Sequence, residues 1–122
     1  MRRVAVMMVV ALGACDAEER REAIARELTG GEPARGRASM FEHGCGSCHE
    51  IPGVEGAEGR VGPSLDGVAG RSVLAGRLEN TPANLELWIR HPQHVEPGNV
   101  MPEMGVSASE AADMAAHLYT LE

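Results

Sequence analysis

Hydrophobic positions form one continuous run near the start of the chain and short helix-spaced stripes further along it. Residues 4–14 are apolar and uncharged, a run too short to span a bilayer as a helix. Residues 16–28 mix acids, arginines and good helix formers around a thin apolar stripe, which predicts a solvated helical tether. The Gly and Pro residues within 29–33 break that helix, so the folded domain is predicted over residues 34–122.

Three stretches of the predicted domain have helical spacing. In the first, Ala34, Ala38, Phe41 and Cys45 fall on one face, which we expect to point into the core. The second starts at an N-cap Thr followed by Pro and stops at Pro92, and the third starts with a capping box of the form SxxE. The other residues expected to fill the core are Met40, Leu85, Trp88, Ile89, Ala111, Met114, Ala115 and Leu118.

Composition limits what can fill the core of this domain. Phe, Trp and Tyr occur once each among 122 residues, whereas 15 Gly and 7 Pro indicate a loop-rich fold. Something other than side chains is therefore expected to supply part of the core. The net charge of −7, with no Lys in the chain, argues against a nucleic-acid partner, which needs a basic face.

The segment Cys45-Gly46-Ser47-Cys48-His49 carries the candidate chemistry. Its spacing, CxxCH, lets two thiols add to the vinyl groups of one haem while the adjacent imidazole ligates the iron. A covalently bound haem would also supply the missing bulk of the core. Two alternatives stay open. One is a zinc site completed by His91 and His94, and the other is a thioredoxin-like redox pair, which needs a βαβ context that the pattern does not predict.

Cys15 directly follows the apolar run, and two arginines precede that run. The arrangement is typical of a secretory signal, and Leu12-Gly13-Ala14-Cys15 resembles the lipobox of bacterial lipoproteins. The resemblance implies that residues 1–14 are a signal peptide, that Cys15 is acylated, and that residues 15–33 form a lipidated tether. Asp16 resembles the signal that keeps lipoproteins on the inner membrane, so the periplasmic face of that membrane is the expected location. A cleaved signal with a bystander cysteine is the alternative.

Residues 34–122 resemble the class I cytochromes c. GPSLDGVAGR (residues 62–71) is similar to the family segment GPxLxGxxGR, and PGNVMP (residues 97–102) is similar to its PGxxMP loop. The resemblance implies a small all-α cytochrome c fold, in which helices and loops wrap around one covalently attached haem c. The first and last helices of that fold cross. Relatives usually place an aromatic at the position of His117, so either looser packing there or substitution by Tyr119 is expected.

The resemblance also implies the roles of individual side chains. The two thiols of the CxxCH segment form thioether bonds to the haem, and His49 and Met101 are the axial iron ligands. The carbonyl of Pro63 accepts a hydrogen bond from His49. Arg71 faces a haem propionate, and Trp88 lies against the haem near Met101.

Several of these roles have alternatives. Met104 is the rival of Met101 as the second axial ligand, and His43, His91 and His94 are weaker candidates. An ordinary surface position in a turn is open for Arg71. Plain core packing is open for Trp88.

Residues 75–107 (AGRLENTPANLELWIRHPQHVEPGNVMPEMGVS) are similar to the haem c domain fused behind subunit II of some haem-copper cytochrome oxidases. The copper-binding domain and the membrane hairpin of that subunit are not expected here. The resemblance implies a membrane-tethered monohaem cytochrome c that carries single electrons in a periplasmic respiratory chain, to or within a terminal oxidase.

A haem with both axial positions filled has no vacant site for oxygen or peroxide, so an electron carrier rather than an enzyme is expected. The expected partners are redox proteins and, through the lipid anchor, the membrane. A haem subunit of a periplasmic dehydrogenase is one alternative. A haem-based peroxidase or gas-sensing module is another, if Met101 is labile.

Overall fold

The computed structural model describes the backbone of residues 2–122 and the side chains of residues 13–122. The fold is helical with one small hairpin, so the expected all-α class is confirmed. The predicted signal peptide, residues 1–14, lies mostly outside the described side chains. The elements are α1 (Arg2–Thr29), α2 (Pro33–Glu42), a 3-10 turn (Cys45–Ser47), a second 3-10 turn (Val68–Gly70), β1 (Val73–Leu74), β2 (Leu78–Glu79), α3 (Pro82–Arg90), α4 (Pro92–Val95) and α5 (Ala108–Leu118).

Helices α3 and α5 begin where the sequence predicts them. The Thr81 hydroxyl accepts a hydrogen bond from the Asn84 N–H, which caps α3. Ser107 and Glu110 form both hydrogen bonds of a capping box at the start of α5. Strands β1 and β2 pair antiparallel, with Leu74 opposite Leu78.

Helices α2 and α5 cross with their backbones in near contact. A Cβ atom on Gly36 of α2 would overlap the carbonyl oxygen of Asp113 on α5, so a larger residue fits only if one helix moves. Pro33 and Met40 are buried together with Gly36. Helix α2 therefore turns its glycine side towards the core.

The prediction that Ala34, Ala38 and Phe41 point inward is wrong. All three are exposed, Phe41 by 60%. Only Cys45 of the predicted face packs at the edge of the core. The reason is the close approach of α5, which selects the side of α2 that carries a glycine. The hydrophobic pattern of α2 by itself does not contain that information.

The core lies between α2, α3, α5 and the loops that join them. Met40 and Met114 are 2% and 1% exposed, which confirms the prediction that they fill the core. Leu85 and Ile89 of α3 are buried as predicted, whereas Trp88 is only half-buried. The other buried members of this core are Ile51, Val54, Ala57, Val68, Leu74, Val106, Ala111, Ala115 and Leu118.

A buried carboxylate ties the start of α2 to α5. Asp113 accepts a hydrogen bond at Oδ1 from the backbone N–H of Glu32 (2.7 Å) and another at Oδ2 from Arg35 Nε (3.1 Å). The first of these bonds satisfies a backbone donor at the N-terminus of α2 that has no partner within the helix.

His117 also lies at the crossing and is buried. Its Nε2–H donates to the carbonyl of Pro52 (2.7 Å), and its Nδ1 accepts a hydrogen bond from Arg37 Nη1 (3.3 Å). Burial lowers the pKa of His117, and the neighbouring Arg37 guanidinium acts in the same direction. Looser packing at this position is therefore not found, because both ring nitrogens have partners.

The last turns of α1 pack against α5. Ala25 is 1% exposed, and ion pairs join Glu22 to Arg37 (3.4 Å) and Arg21 to Glu122 (3.4 Å). The charged segment is thus helical as predicted, but it is not solvated along its whole length. In the described part of the chain, no helix is both long and apolar enough to cross a bilayer.

Candidate functional site

The two thiols of the CxxCH segment lie on one short turn. Helix α2 ends at Glu42, and Gly44, with φ of 72°, redirects the chain into the 3-10 turn that begins at Cys45. Cys45 and Cys48 are half-buried, and neither forms a disulfide. Burial raises the pKa of the Cys45 thiol, and the nearby Cys48 adds to this effect. The two cysteines therefore lie three residues apart at the ends of one short turn, and both are free of disulfide bonds.

The imidazole of His49 is fixed by a single hydrogen bond. Its Nδ1 lies 2.7 Å from the carbonyl oxygen of Pro63, the contact that the sequence comparison implies. A carbonyl oxygen can only accept, so Nδ1 carries the hydrogen and donates it. Nε2 is then left with a free lone pair, the form of the ring that binds a metal ion.

The loop that carries Pro63 lies directly on the imidazole ring. We call residues 62–71 the proximal loop. A Cβ on Gly62 would overlap the His49 ring, and the Gly62 N–H donates to the Cys48 carbonyl at 2.7 Å. A glycine at this position therefore lets the backbone approach close enough for Pro63 to reach Nδ1.

Arg71 closes the proximal loop on itself. Its Nη2 donates to the backbone carbonyl of Ser64 and, at 3.4 Å, to that of Asp66. The side chain thus has a structural role that the sequence did not suggest. Its contact with a haem propionate stays a prediction.

Met101 lies in a loop that two amide side chains hold. We call residues 97–102 the Met101 loop. Gln93 Nε2 donates to the carbonyls of Asn99 and Met101 (both 2.8 Å), and Gln93 Oε1 accepts from the Gly98 N–H (2.9 Å). Asn99 Oδ1 accepts from the Met101 N–H (2.7 Å). Met101 is half-buried and Met104 is 38% exposed, and the choice of Met101 as the iron ligand stays a prediction.

Sequence reasoning missed Gln93 and Asn99 as functional residues. Both lie inside the stretch that resembles the oxidase-fused domain, and Asn99 lies in a turn, where a side-chain amide commonly bonds nearby backbone groups. Their roles could therefore have been suspected. The partners of Gln93 could not be read from helical spacing.

Trp88 and the histidines outside the CxxCH segment are the remaining candidate residues from the sequence. Trp88 is half-buried beside the buried Leu85 and Ile89, and its contact with a haem stays a prediction. His91 Nδ1 instead lies 3.5 Å from a carboxylate oxygen of Glu103. Among the described side chains, no three His, Cys, Asp or Glu residues cluster as a metal site would require.

These residues fit haem c. The paired thiols on one turn and the imidazole with Nδ1–H donated to a carbonyl match what a covalently attached, histidine-ligated haem requires. A cytochrome c family model matches residues 33–122, and the chain belongs to the cytochrome c family. Members of this family bind haem c covalently and carry electrons, so haem c is the cofactor.

Three individual relatives show which cytochromes c this chain is similar to. The chain is 38% identical over 89 residues to cytochrome c oxidase subunit 2 of Alkalihalophilus pseudofirmus, which covers 72% of this chain and 25% of that protein. It is 30% identical over 87 residues to the same subunit of Bacillus subtilis (70% and 24%). It is 32% identical over 98 residues to cytochrome c2 of Agrobacterium tumefaciens (68% and 85%).

The chain thus spans about a quarter of the length of the oxidase subunits that it matches. The resemblance to class I cytochromes c, and to the haem c domain of those subunits, is confirmed.

Proposed function

We propose that this protein is a membrane-tethered monohaem cytochrome c that carries single electrons in a periplasmic respiratory chain, to or within a terminal oxidase, and is not an enzyme. The observation that carries the electron-transfer assignment is the hydrogen bond from His49 Nδ1 to Pro63. It fixes the ring and leaves Nε2 as its one metal-binding atom. The loop that holds Met101 supports a second axial ligand, because its backbone is bonded on both sides of the residue.

In this proposal Cys45 and Cys48 would hold haem c through thioether bonds, and His49 and Met101 would ligate its iron. The bound haem supplies a one-electron couple. The thioether of Met101 is a soft ligand that favours ferrous iron and raises the reduction potential. With both axial positions filled by side chains, no position remains for oxygen or peroxide, which favours electron transfer over bond-making chemistry.

Side chains around the ligands tune the site. Trp88 would cover one part of the haem and exclude water from it, which would disfavour the ferric charge. Arg71 neutralises a propionate through the guanidinium hydrogen atoms that are not used in closing the proximal loop.

The first experiment tests the second axial ligand in haem-loaded protein. Met101→Ala should abolish the weak red-end charge-transfer band of the ferric state, lower the reduction potential and open ferrous iron to carbon monoxide. Met104→Ala is the matched control and should leave all three properties unchanged. If the two variants behave the other way round, Met104 is the ligand. If neither changes the spectrum, methionine ligation is wrong. Ready binding of carbon monoxide by the unmodified protein would instead indicate a sensor or peroxidase.

The membrane tether rests on Cys15, which is exposed on α1 and separates apolar residues 4–14 from charged residues 16–28. Cells that express the protein are labelled with a fatty-acid analogue and fractionated. The unmodified protein should carry the label and pellet with the inner membrane, whereas Cys15→Ser should do neither. An unlabelled and freely soluble wild-type protein would show that the lipoprotein proposal is wrong.

We propose an oxidase as the partner because two relatives are cytochrome c oxidase subunits and because this chain is acidic. The chain has a net charge of −7 and no Lys, so a partner surface that is neutral or basic should dock best. Reduced protein mixed with a purified haem-copper oxidase should be oxidised under turnover. Reduction by a periplasmic dehydrogenase without oxidation by the oxidase would favour the dehydrogenase-subunit alternative.

A further inference from the structure

Asn80 connects the proximal loop to the end of α5. Its Nδ2 donates to the carbonyls of Val68 (3.0 Å) and Arg71 (2.7 Å), and its Oδ1 accepts from the Tyr119 hydroxyl (2.8 Å). Asn80 lies between β2 and α3, so one side chain joins the proximal loop, this connection and the end of α5. Both amide hydrogens and the amide oxygen are thereby used by protein groups.

These bonds lead to the imidazole in short steps. Asn80 fixes the backbone of Arg71, and the Arg71 guanidinium in turn holds the Ser64 carbonyl. Ser64 is bonded covalently to Pro63, whose carbonyl accepts from His49 Nδ1. The position of that carbonyl therefore depends on the segment that Asn80 holds.

We infer that Asn80, supported by the Tyr119 hydroxyl, is a positioning residue for His49. It holds the proximal loop so that the Pro63 carbonyl stays on Nδ1, which keeps the ring in one tautomer and one orientation. This inference rests on the proposed function in one respect, namely that His49 ligates the iron.

The fold offers a reason why an Asn80 variant should still fold. The Ala69 N–H donates to the Leu121 carbonyl at 2.9 Å, so the proximal loop keeps a backbone contact with the C-terminal end without the amide. Val68 remains buried in the core. Loss of the amide should loosen the loop locally rather than unfold the domain.

Asn84 provides a matched control four residues away. Its Nδ2 also donates to a backbone carbonyl, that of Glu79 at 2.9 Å, but this bond stays between β2 and the start of α3. Asn84→Ala therefore removes the same side chain without touching the proximal loop.

The test measures exchange of the His49 Nδ1 hydrogen with solvent, by NMR of the diamagnetic ferrous holoprotein. In Asn80→Ala this exchange should be on the order of tenfold faster than in the unmodified protein, because two hydrogen bonds to the loop backbone are lost. Tyr119→Phe should change it in the same direction by a smaller factor, and Asn84→Ala should leave it unchanged. Exchange of the backbone N–H groups in α5 serves as the measure of global stability.

Equal exchange at His49 in Asn80→Ala and Asn84→Ala would overturn the inference. So would an increase at His49 no larger than the increase in α5, because that result means general destabilisation. A separate variant, His49→Ala, tests the proposed function. If it keeps the axial ligation seen in the spectrum, the assignment of His49 is wrong whatever Asn80 does.

Discussion

The crossing of α2 and α5 and the Met101 loop are held together by different means. At the crossing, Gly36 brings two backbones into near contact, and Asp113 and His117 supply buried polar contacts. In the Met101 loop, the side chains of Gln93 and Asn99 bond exposed and half-buried backbone groups. Close packing and buried polar groups have large individual effects on stability, whereas partly exposed hydrogen bonds have small ones. Stability is therefore concentrated at the crossing, and the loop chiefly controls where the Met101 sulfur lies.

The largest effect is expected from filling the closest point of the crossing. Gly36→Ala should lower the free energy of unfolding by about 3 kcal/mol, because the overlap with the α5 backbone outweighs the better helix propensity of Ala. Denaturant unfolding of the holoprotein followed by circular dichroism measures this. Gly70→Ala is the control, since a Cβ there meets open space, and it should change stability by less than about 1 kcal/mol. Equal losses of stability in the two variants would show that steric overlap with α5 is not the cause.

A smaller loss is expected when the buried carboxylate is removed. Asp113→Ala should cost about 2 kcal/mol, because the Glu32 N–H loses its acceptor and the start of α2 loses its attachment to α5. Arg35→Ala removes the charged partner instead and should cost less than about 1 kcal/mol, since the Arg35 side chain is 68% exposed. Chemical denaturation of both variants gives the two values. A larger loss in Arg35→Ala would mean that the ion pair, and not the backbone hydrogen bond, stabilises the crossing.

His117 should make the stability of the crossing depend on pH. Burial lowers the pKa of His117 below the ordinary value of 6.5, so the unfolded chain binds a proton that the folded protein does not bind between the two pKa values. The free energy of unfolding should therefore fall as pH falls below about 6.5, with a slope of at most about 1.4 kcal/mol per pH unit. Denaturant unfolding at pH 7.5 and at pH 5.5 measures this change in the free energy of unfolding.

Replacing the ring tests the source of this slope. In His117→Gln the pH dependence of the free energy of unfolding that comes from this histidine should disappear. His94 is exposed, so His94→Gln should leave that pH dependence unchanged. An unchanged slope in His117→Gln would assign the pH dependence to other groups.

The smallest effect on stability is expected in the Met101 loop. Gln93→Ala removes three hydrogen bonds to the loop backbone and should lower the free energy of unfolding by only about 1 kcal/mol. Because the loop is then held less firmly, the ferrous protein should bind carbon monoxide. Glu103→Gln is the control, since an amide oxygen can still accept from the Gln93 N–H. Carbon monoxide titration and thermal unfolding separate the two properties. A large loss of stability in Gln93→Ala without binding of carbon monoxide would contradict the view that the crossing, and not the Met101 loop, provides most of the stability.

Local chemistry explains which elements could be predicted. The caps at Thr81 and Ser107 marked the starts of α3 and α5, because a capping side chain and its backbone partner are three residues apart. The CxxCH segment is likewise local, and the contact between Pro63 and His49 followed from a resemblance that carries both residues.

Contacts between distant residues explain the rest. The face of α2 was predicted wrongly because it depends on how closely α5 approaches Gly36. The environment of His117 depends on Pro52, 65 residues earlier in the chain, and Asn80 meets Tyr119 across 39 residues. No hydrophobic periodicity encodes such pairs, so these residues could be located only in the folded structure.

The hydrogen bonds of Gln93 also bear on how well Met101 would compete with small molecules for the iron of a bound haem. The Met101 N–H and carbonyl are bonded to Asn99 and Gln93, so few conformations would be open to the side chain. A ligand on a short flexible linker competes at an effective concentration on the order of millimolar, and confinement to the productive geometry raises that value. A dissolved gas or peroxide at micromolar concentration would then lose the competition for the iron. This confinement of Met101 by Gln93 and Asn99 would favour electron transfer over the binding of small molecules.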